Sequence, residues 1–420
     1  MAHQSSARPR VVLGVSGGIA AYKSCEVLRA LTETGQHVDV IPTASALSFV
    51  GSATFEALSG NPVTTGVFSD VPSVRHVRLG QQADLVVVVP ATADLIARMA
   101  AGRADDLLTS TLLATRAPVL IAPAMHTEMW QHPATRANVA TLRERGVVVV
   151  GPASGRLTGA DSGPGRLAEP SEIAALARLL LESPDALRHD LAGSRVLITA
   201  GGTREPLDPV RFLTNRSSGK QGYALAQVAA ARGAQVTLVS ANVALPSPAG
   251  VDVVTVETAL ELQQQTEARA GDADVVVMAA AVSDFRPTRR RAAKIKKTEA
   301  EPDQIALSKN PDILAGLVQA RAAGRLPAAV RIVGFAAETG DDRHSVEEYG
   351  RQKLARKGCD FIVVNDVGAG GAFEADHNQG LILGLDGSAR QIPRGSKQLV
   401  AARIWDAVAA SAAGPVGPLE

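Results

Sequence analysis

A chain of 420 residues with 46% hydrophobic side chains is long enough for two domains, each burying its own core. A formal net charge of +1 excludes a global polyanion-binding role, and no apolar run approaches the length of a membrane-spanning helix. The two cysteines, Cys25 and Cys359, lie far apart and fit a reducing, cytoplasmic setting better than a disulfide framework. Aromatic residues at 3% mark an Ala/Val-rich α/β protein.

Residues 1–10 read as a polar tail. Arg8 and Arg10 before an apolar stretch imitate a signal peptide, but a Gly-rich run and a helix follow with no cleavage site, so residues 11–15 read as a first strand. Ser16-Gly17-Gly18-Ile19 then opens a helix through Thr34, and residues 37–41 form the next strand. The spacing of Gly14, Gly17 and Gly18 is wrong for a dinucleotide fingerprint. The second strand also runs into Thr43 and Ser45 rather than an acidic residue for a ribose. Hydroxyls there suit a mononucleotide phosphate or a flavin better than a nicotinamide cofactor.

Residues 85–89 form a strand, followed by the turn Pro90-Ala91-Thr92-Ala93 and a helix to Ala101. A helix at residues 106–115, a strand at 119–121 and the segment Pro123-Ala124-Met125-His126-Thr127-Glu128-Met129-Trp130 come next. Ligands of open α/β sheets gather at the carboxyl ends of strands, where all these loops fall. Residues 154–166 are Gly-rich and apolar-poor, which fits a mobile flap or an ordinary surface loop. A helix at 171–181 precedes residues 182–194, where Pro184 and Gly193 interrupt the apolar pattern and mark a linker.

The layout then repeats. Residues 196–199 read as a buried parallel strand, Gly201-Gly202 as a turn, and Gly219-Lys220-Gln221-Gly222 as the start of a helix ending at Gly233. Free N–H groups and the positive end of a helix dipole make such a place suitable for phosphate. The loop is not a P-loop, because Thr214 and Gln221 occupy required positions, and the following strand ends in Ser240. The glycines alone call for no more than a tight junction. Arg211, Asn215, Ser217, Ser218 and Lys220 within ten residues point to an anionic ligand. Strands are expected at 251–256, 275–279, 332–335 and 361–364, a hairpin around Asp386-Gly387, and a final helix at 399–409. Residues 289–297 carry six basic side chains. Without aromatic interleaving they are no nucleic-acid patch, and they read as a solvated loop or a cover for a triphosphate. The expected fold class is α/β: two doubly wound, Rossmann-like domains with mainly parallel sheets.

At this level the chain resembles the bacterial bifunctional phosphopantothenoylcysteine decarboxylase / phosphopantothenate–cysteine ligase family of coenzyme A biosynthesis. The ligase half carries the resemblance in ITAGGTREPLDPVR, NRSSGKQG, AAAVSDFR, KIKK, KNPDIL, GFAAET, RQKLARKG and VVND. The amino-terminal half carries it in SGGIAAYK, His76, PATA, PAMHTEMW and GPGR. The resemblance implies a flavodoxin-like, FMN-dependent decarboxylase domain at 11–182 and a ligase domain at 195–410, flanked by tails at 1–10 and 411–420.

It further implies that CTP, with Mg2+, activates the carboxylate of 4′-phosphopantothenate as an acyl-cytidylate that the amine of cysteine attacks. FMN-dependent oxidative decarboxylation then gives 4′-phosphopantetheine. Carried over by motif position, the catalytic residues are His76, His126, Asn215 and Lys294. FMN contacts fall at Ser16, Gly17, Gly18, Ile19, Thr43, Ser45, Thr92, Ala93 and Met125. CTP contacts fall at Ala279, Ala280, Asp284, Lys294, Pro311, Asp312, Ile313, Leu314, Phe335, Lys353 and Lys357. Phosphopantothenate contacts fall at Arg211, Asn215 and Ala281. Taken without the family, His76 reads as a surface histidine, Phe335 as core, and Lys353 with Lys357 as a solvated helix face.

The partners implied are small molecules, with neither nucleic acid nor membrane. The oligomer implied combines decarboxylase trimers with ligase dimers, a dodecamer when closed. Three positions depart from the family pattern: His126 stands where it has Asn, Gly159 where it has a flap cysteine, and Asp94 where it often has Asn. They leave open a ligase fused to a flavin-binding scaffold. A nicotinamide-dependent oxidoreductase is disfavoured by the absent fingerprints.

Overall fold

The computed structural model describes residues 8–63, 74–157, 161–295, 304–338, 344–366 and 377–410. The chain divides into two compact units. One comprises Met1–Asp190 with Ala230–Arg232 and Pro248–Gly250; the other comprises Leu191–Ala229, Gly233–Ser247 and Val251–Glu420. Among the described residues no helix is long and apolar enough to cross a membrane.

The first unit is built on five parallel strands: Arg10–Val15, His37–Pro42, Leu85–Ala91, Val119–Pro123 and Val148–Val149. Their spatial order, in chain numbering, is 2-1-3-4-5, the flavodoxin-like order. Leu85–Ala91 is buried along its whole length, as a near-continuous apolar run must be when helices cover both faces of a parallel sheet. The helix Ser24–Thr32 turns Val27, Leu28 and Leu31 inward at helical spacing. Its expected first turn is instead a 3-10 turn, Ile19–Lys23, closed where the buried Ser24 Oγ donates to Ala21 O at 2.6 Å. Gly80 allows Arg75–Gln82 to lie against Leu107–Ala114, for a Cβ there would meet Thr111 O at 3.0 Å.

The Gly-rich segment expected as a loop is for the most part an antiparallel hairpin, Ala153–Arg156 against Ser162–Arg166. Residues 158–160, which include Thr158 and Gly159, lie outside the described residues. Glycine strands leave no alternating apolar pattern, so the pairing left no trace in hydropathy.

Among the described residues the main sheet of the second unit has eight strands. Arg195–Gly201, Gln235–Ala241, Val251–Val256, Val275–Met278, Arg331–Glu338 and Phe361–Asp366 run parallel, and His377–Gly384 and Ala389–Ser396 close one edge as an antiparallel pair. In sheet numbering the order is 3-2-1-4-5-6-7-8. The chain therefore reverses direction across the sheet between Arg195–Gly201 and Val275–Met278. Such a switch point opens a crevice at the carboxyl ends of the strands. Parallel neighbours require crossovers, which are the helices Lys220–Ala231, Ala259–Ala270, Ile313–Ala322 and Val346–Lys357.

The last helix, Lys397–Ala410, seats a fully buried Trp405 whose Nε1 donates to Leu225 O at 3.0 Å. Two small hairpins, Arg204–Pro206 with Phe212–Thr214 and Phe285–Pro287 with Leu307–Lys309, have three-residue arms too short to show any periodicity.

Candidate active sites

In the first unit the loops after the first three strands meet through hydroxyls. Ser16 is buried; its Oγ donates to Pro90 O at 2.7 Å and accepts from Thr92 N at 3.0 Å. Thr43 Oγ1 lies 3.1 Å from Ser45 Oγ, and Thr92 caps the helix Ala93–Ala101 by accepting from Leu95 N. Gly17 is required by contact: a Cβ there would lie 2.4 Å from Ser45 Oγ. Thus Ser16, Gly17, Gly18, Thr43, Ser45 and Thr92 form one floor, with Ile19 exposed at its rim. This floor of hydroxyls and glycine fits FMN: hydroxyls to hydrogen-bond a phosphate, and the exposed Ile19 as an apolar rim for a ring.

Met125 and His126 begin a second wall. Met125 N donates to Gly165 O at 3.0 Å, and a Cβ at Gly165 would sit 2.3 Å from Met125 O. One at Gly163 would sit 2.4 Å from Thr127 Oγ1. The GPGR stretch therefore lies flush on the segment that carries His126. His126 itself is exposed at the start of the helix Thr127–Gln131 and makes no capping bond. His76 lies on Arg75–Gln82, half-buried, with its Nδ1 shielded from solvent and lacking a hydrogen-bond partner among the described residues. Asp94 has a local use: its carboxylate pairs with Arg98 at 3.0 Å, and Arg98 also holds Asp105 at 2.9 Å and Asp106 at 2.8 Å.

The second unit contains a cleft of about 180 Å³ at its switch point. Ser217, Ser218, Gly219 and Lys220 line it from the start of Lys220–Ala231, and Ala279, Ala280, Ala281 and Phe335 line it from neighbouring strand ends. The helix starts here because Gly219 adopts a left-handed φ of 74°, and Gly222 packs where a Cβ would come within 2.5 Å of Ala200. Ala281 N donates to Gly201 O at 2.7 Å and Ser283 N to Thr203 Oγ1 at 3.0 Å, which fixes the segment 280–283 beside the glycine turn. Asn215 joins them, its Nδ2 donating to Val282 O at 3.0 Å.

Other expected residues lie outside the cleft lining. Lys294 is exposed, immediately before the point where Ile295 N meets Asp208. Arg211 points its guanidinium at Asp208 and Ile295 O. Asp284 accepts Asn310 N at its backbone carbonyl, 2.8 Å away. In the 311–314 turn, Asp312 caps Ile313–Ala322 and pairs with Lys357 Nζ. Burial resists ionisation of Asp312, but Lys357 and the Ala315 N–H outweigh it and hold the carboxyl below the usual range. Lys353 pairs with Glu338 at 3.0 Å. The two lysines are therefore committed to ion pairs rather than forming a solvated face, and Phe335 is a half-buried cleft wall rather than core.

Asn365, Asn378 and Lys397 also line the cleft and were not singled out from the sequence. Asn378 is buried and its Nδ2 donates to Asn365 Oδ1 at 3.0 Å; Lys397 is 7% exposed at the head of the last helix. The antiparallel strand His377–Gly384 brings Asn378 there, beside Asn365 at the end of the parallel strand Phe361–Asp366 and Lys397 at the head of the last helix; the Asn of VVND is the one sequence signal among them. Among the described residues no group of three His, Cys, Asp or Glu side chains gathers as a metal site.

A flavodoxin-like unit with a hydroxyl floor, followed by a doubly wound unit with a cleft at its switch point, is the architecture of a two-part flavoprotein and nucleotide-using enzyme. Residues 2–180 match the family described as Flavoprotein, and residues 191–412 match the DNA/pantothenate metabolism flavoprotein C-terminal domain. The coenzyme A biosynthesis bifunctional protein CoaBC of Mycolicibacterium smegmatis is 64% identical over 406 residues, covering 96% of this chain and 98% of that protein. The CoaBC of Mycobacterium tuberculosis H37Rv is also 64% identical, over 96% of this chain and 97% of its own. Among solved structures, the C-terminal domain of a CoaBC is 36% identical with a TM-score of 0.44, covering 54% of this chain and 98% of that one. A cysteine-to-serine mutant of a PPC decarboxylase, complexed with pantothenoylaminoethenethiol, is 33% identical with a TM-score of 0.39, covering 42% of this chain and 100% of that one. The chain belongs to the CoaBC family of bifunctional coenzyme A biosynthesis proteins.

Proposed function

We infer that this chain carries out two consecutive steps of coenzyme A biosynthesis: CTP-dependent ligation of 4′-phosphopantothenate to cysteine, then FMN-dependent decarboxylation of the 4′-phosphopantothenoylcysteine formed. The observation that carries this reading is 64% identity sustained over 96% of the chain, across both units. Supplying phosphopantothenate, cysteine and CTP and identifying the products by mass spectrometry tests it. Phosphopantetheine, pyrophosphate, CMP and CO₂ are the expected products; phosphopantothenoylcysteine alone would reduce the first unit to a scaffold.

In the ligation, the phosphopantothenate carboxylate attacks the α-phosphorus of CTP, and pyrophosphate leaves. The cysteine amine then attacks the acyl carbon, and CMP leaves. The physical difficulty is holding two anions together. Ser217, Ser218 and the amides at the start of Lys220–Ala231 take phosphate oxygens, while Phe335 and Ala279–Ala281 wall the cleft. Mg2+, bound with the nucleotide, would neutralise charge on its phosphates. Lys294 meets charge that develops as pyrophosphate departs, with Asp284, residues 311–314, Lys353 and Lys357 on the nucleotide side. Arg211, Asn215 and Ala281 lie on the pantothenate side. Asn215 holds the acyl intermediate while its amide remains tied to Val282 O. Asn215→Asp puts a carboxylate beside an anionic substrate and loses the donated hydrogen bond. Ligation is expected to fall sharply, and acyl-cytidylate found in quenched reactions would place the residue in the second step.

In the decarboxylation, FMN supplies reversible hydride exchange with the cysteine carbon bearing sulfur. The floor of Ser16, Gly17, Gly18, Ile19, Thr43, Ser45, Thr92 and Ala93, with Met125, holds it. His76 takes the thiol proton at its Nδ1, which has no partner among the described residues, and His126 donates a hydrogen bond to the departing carboxylate. With Gly159 at the position of the family's flap cysteine, Asp161, Thr158 or an ordered water returns the final proton.

The domains divide within 183–194, a boundary supported by the compact unit that starts at Leu191. Expression of residues 194–420 alone is expected to give a soluble, dimeric ligase without flavin; insoluble or inactive protein counts against that boundary. Decarboxylase trimers and ligase dimers together close a dodecamer. The free thiols Cys25 and Cys359 support a cytoplasmic setting.

A further inference from the structure

Asp208 has no part in either site as described, yet its side chain is 0% exposed and crowded with donors. Its Oδ1 accepts Val210 N and Arg211 N, each at 2.8 Å. Its Oδ2 accepts Arg211 Nε at 3.0 Å and Ile295 N at 3.1 Å. Two further links run beside these: Arg291 N donates to Leu207 O at 2.9 Å, and Arg211 Nη2 donates to Ile295 O.

The contacts within residues 208–211 are the local turn that an Asp-Pro sequence makes by itself. The bond to Ile295 serves no such turn. It clamps a distant main-chain amide, the one directly following Lys294. Burial opposes ionisation of Asp208, but the N–H groups of Val210, Ile295 and Arg211 and the Arg211 charge outweigh it and hold the carboxyl down to about 2. The clamp is therefore charged at every pH at which the protein works.

We propose that Asp208 is a positioning residue of the ligase, which fixes the main chain at Ile295 and so sets where Lys294 is delivered. The proposal rests on the ligase reading, with Lys294 at the leaving pyrophosphate. Lys294 projects from an exposed stretch of chain, so its aim depends on the backbone beneath it.

The test uses the full-length, flavin-loaded protein. Asp208→Asn keeps the shape, but with a single acceptor oxygen it cannot hold all four N–H donors, and the amide that keeps the local turn at Val210 and Arg211 turns its NH2 towards Ile295 N. The kcat of ligation is expected to fall about 10²-fold, as a misplacement of about 1 Å does, with KM for CTP nearly unchanged. Hydrogen exchange should quicken in a peptide covering Ile295 while that of Arg195–Gly201 stays at the wild-type rate. In a Lys294→Gln background, Asp208→Asn should cost nothing further, because residues acting as a unit are not additive. Asp208→Ser repeats the series if the Asn variant is insoluble.

Losses that multiply in the Lys294→Gln background overturn the proposal, as does a wild-type kcat in Asp208→Asn. So does non-additivity found only with Arg211→Gln, which would make Arg211 the one residue positioned. If Lys294→Gln alone ligates at the wild-type rate, the assignment of Lys294 fails first, and the proposal with it.

Discussion

His76→Asn is expected to end decarboxylation of phosphopantothenoylcysteine while the purified protein remains yellow. His76 sits on the helix Arg75–Gln82 and takes no part in the hydrogen bonds that join Ser16 to Thr92 and Thr43 to Ser45, so its loss leaves those bonds in place. Its Nδ1 is buried without a partner among the described residues, an unfavourable state for a polar atom unless a ligand completes it. Asparagine retains hydrogen-bonding capacity but cannot carry a proton near neutral pH, and general acid–base help is typically worth about 10²–10⁴-fold. The measurement is CO₂ release, with the flavin spectrum recorded on the same sample. Undiminished CO₂ release would remove His76 from the chemistry. A colourless variant would make it part of the flavin site instead.

Lys294→Gln is expected to lower ligase turnover about 10²–10³-fold, the usual cost of removing one group aimed at charge that develops in the transition state. Flavin content and decarboxylation of added phosphopantothenoylcysteine should be unaffected, because the residue lies in the other unit. Lys353 offers a contrast. That lysine is engaged by Glu338 at 3.0 Å, so its truncation also orphans a carboxylate, and a loss there would mix stability with catalysis. Lys294 is exposed, which makes its substitution the cleaner test. Pyrophosphate release under saturating CTP reads the effect directly, and a near wild-type rate would refute the role.

The parallel framework was legible because short Val-rich runs such as residues 85–89 and 275–278 fit strands buried on both faces. The floor of the first unit was legible for a related reason: Gly17 and the hydroxyls at Thr43 and Ser45 sit directly at strand ends, where sequence position fixes spatial position. What stayed hidden depends on pairing between distant segments. Asn378 faces the same cleft as Ser217 only because an antiparallel strand is added after the sixth parallel one, and no local pattern encodes that neighbour. The Asp208–Ile295 bond is hidden in the same way: Asp-Pro announces a turn, but not the remote amide that the carboxylate also holds. The hairpin of residues 153–166 escaped because glycine gives strands without periodicity.

That hairpin has a consequence for how the decarboxylase half can change over time. Gly163 and Gly165 rest so closely on Met125 and Thr127 that even alanine at either position would push against atoms 2.4 Å and 2.3 Å away. The stem is a mould-cast joint, closed to variation in side-chain size. In sequence, the three residues 158–160 fall between the two arms, apart from the positions that make those contacts. A change at residue 159 therefore leaves Gly163 and Gly165, the anchoring glycines, untouched. Laboratory libraries confined to residues 157–161 should vary the candidate proton donors while the contacts of Gly163 and Gly165 are preserved.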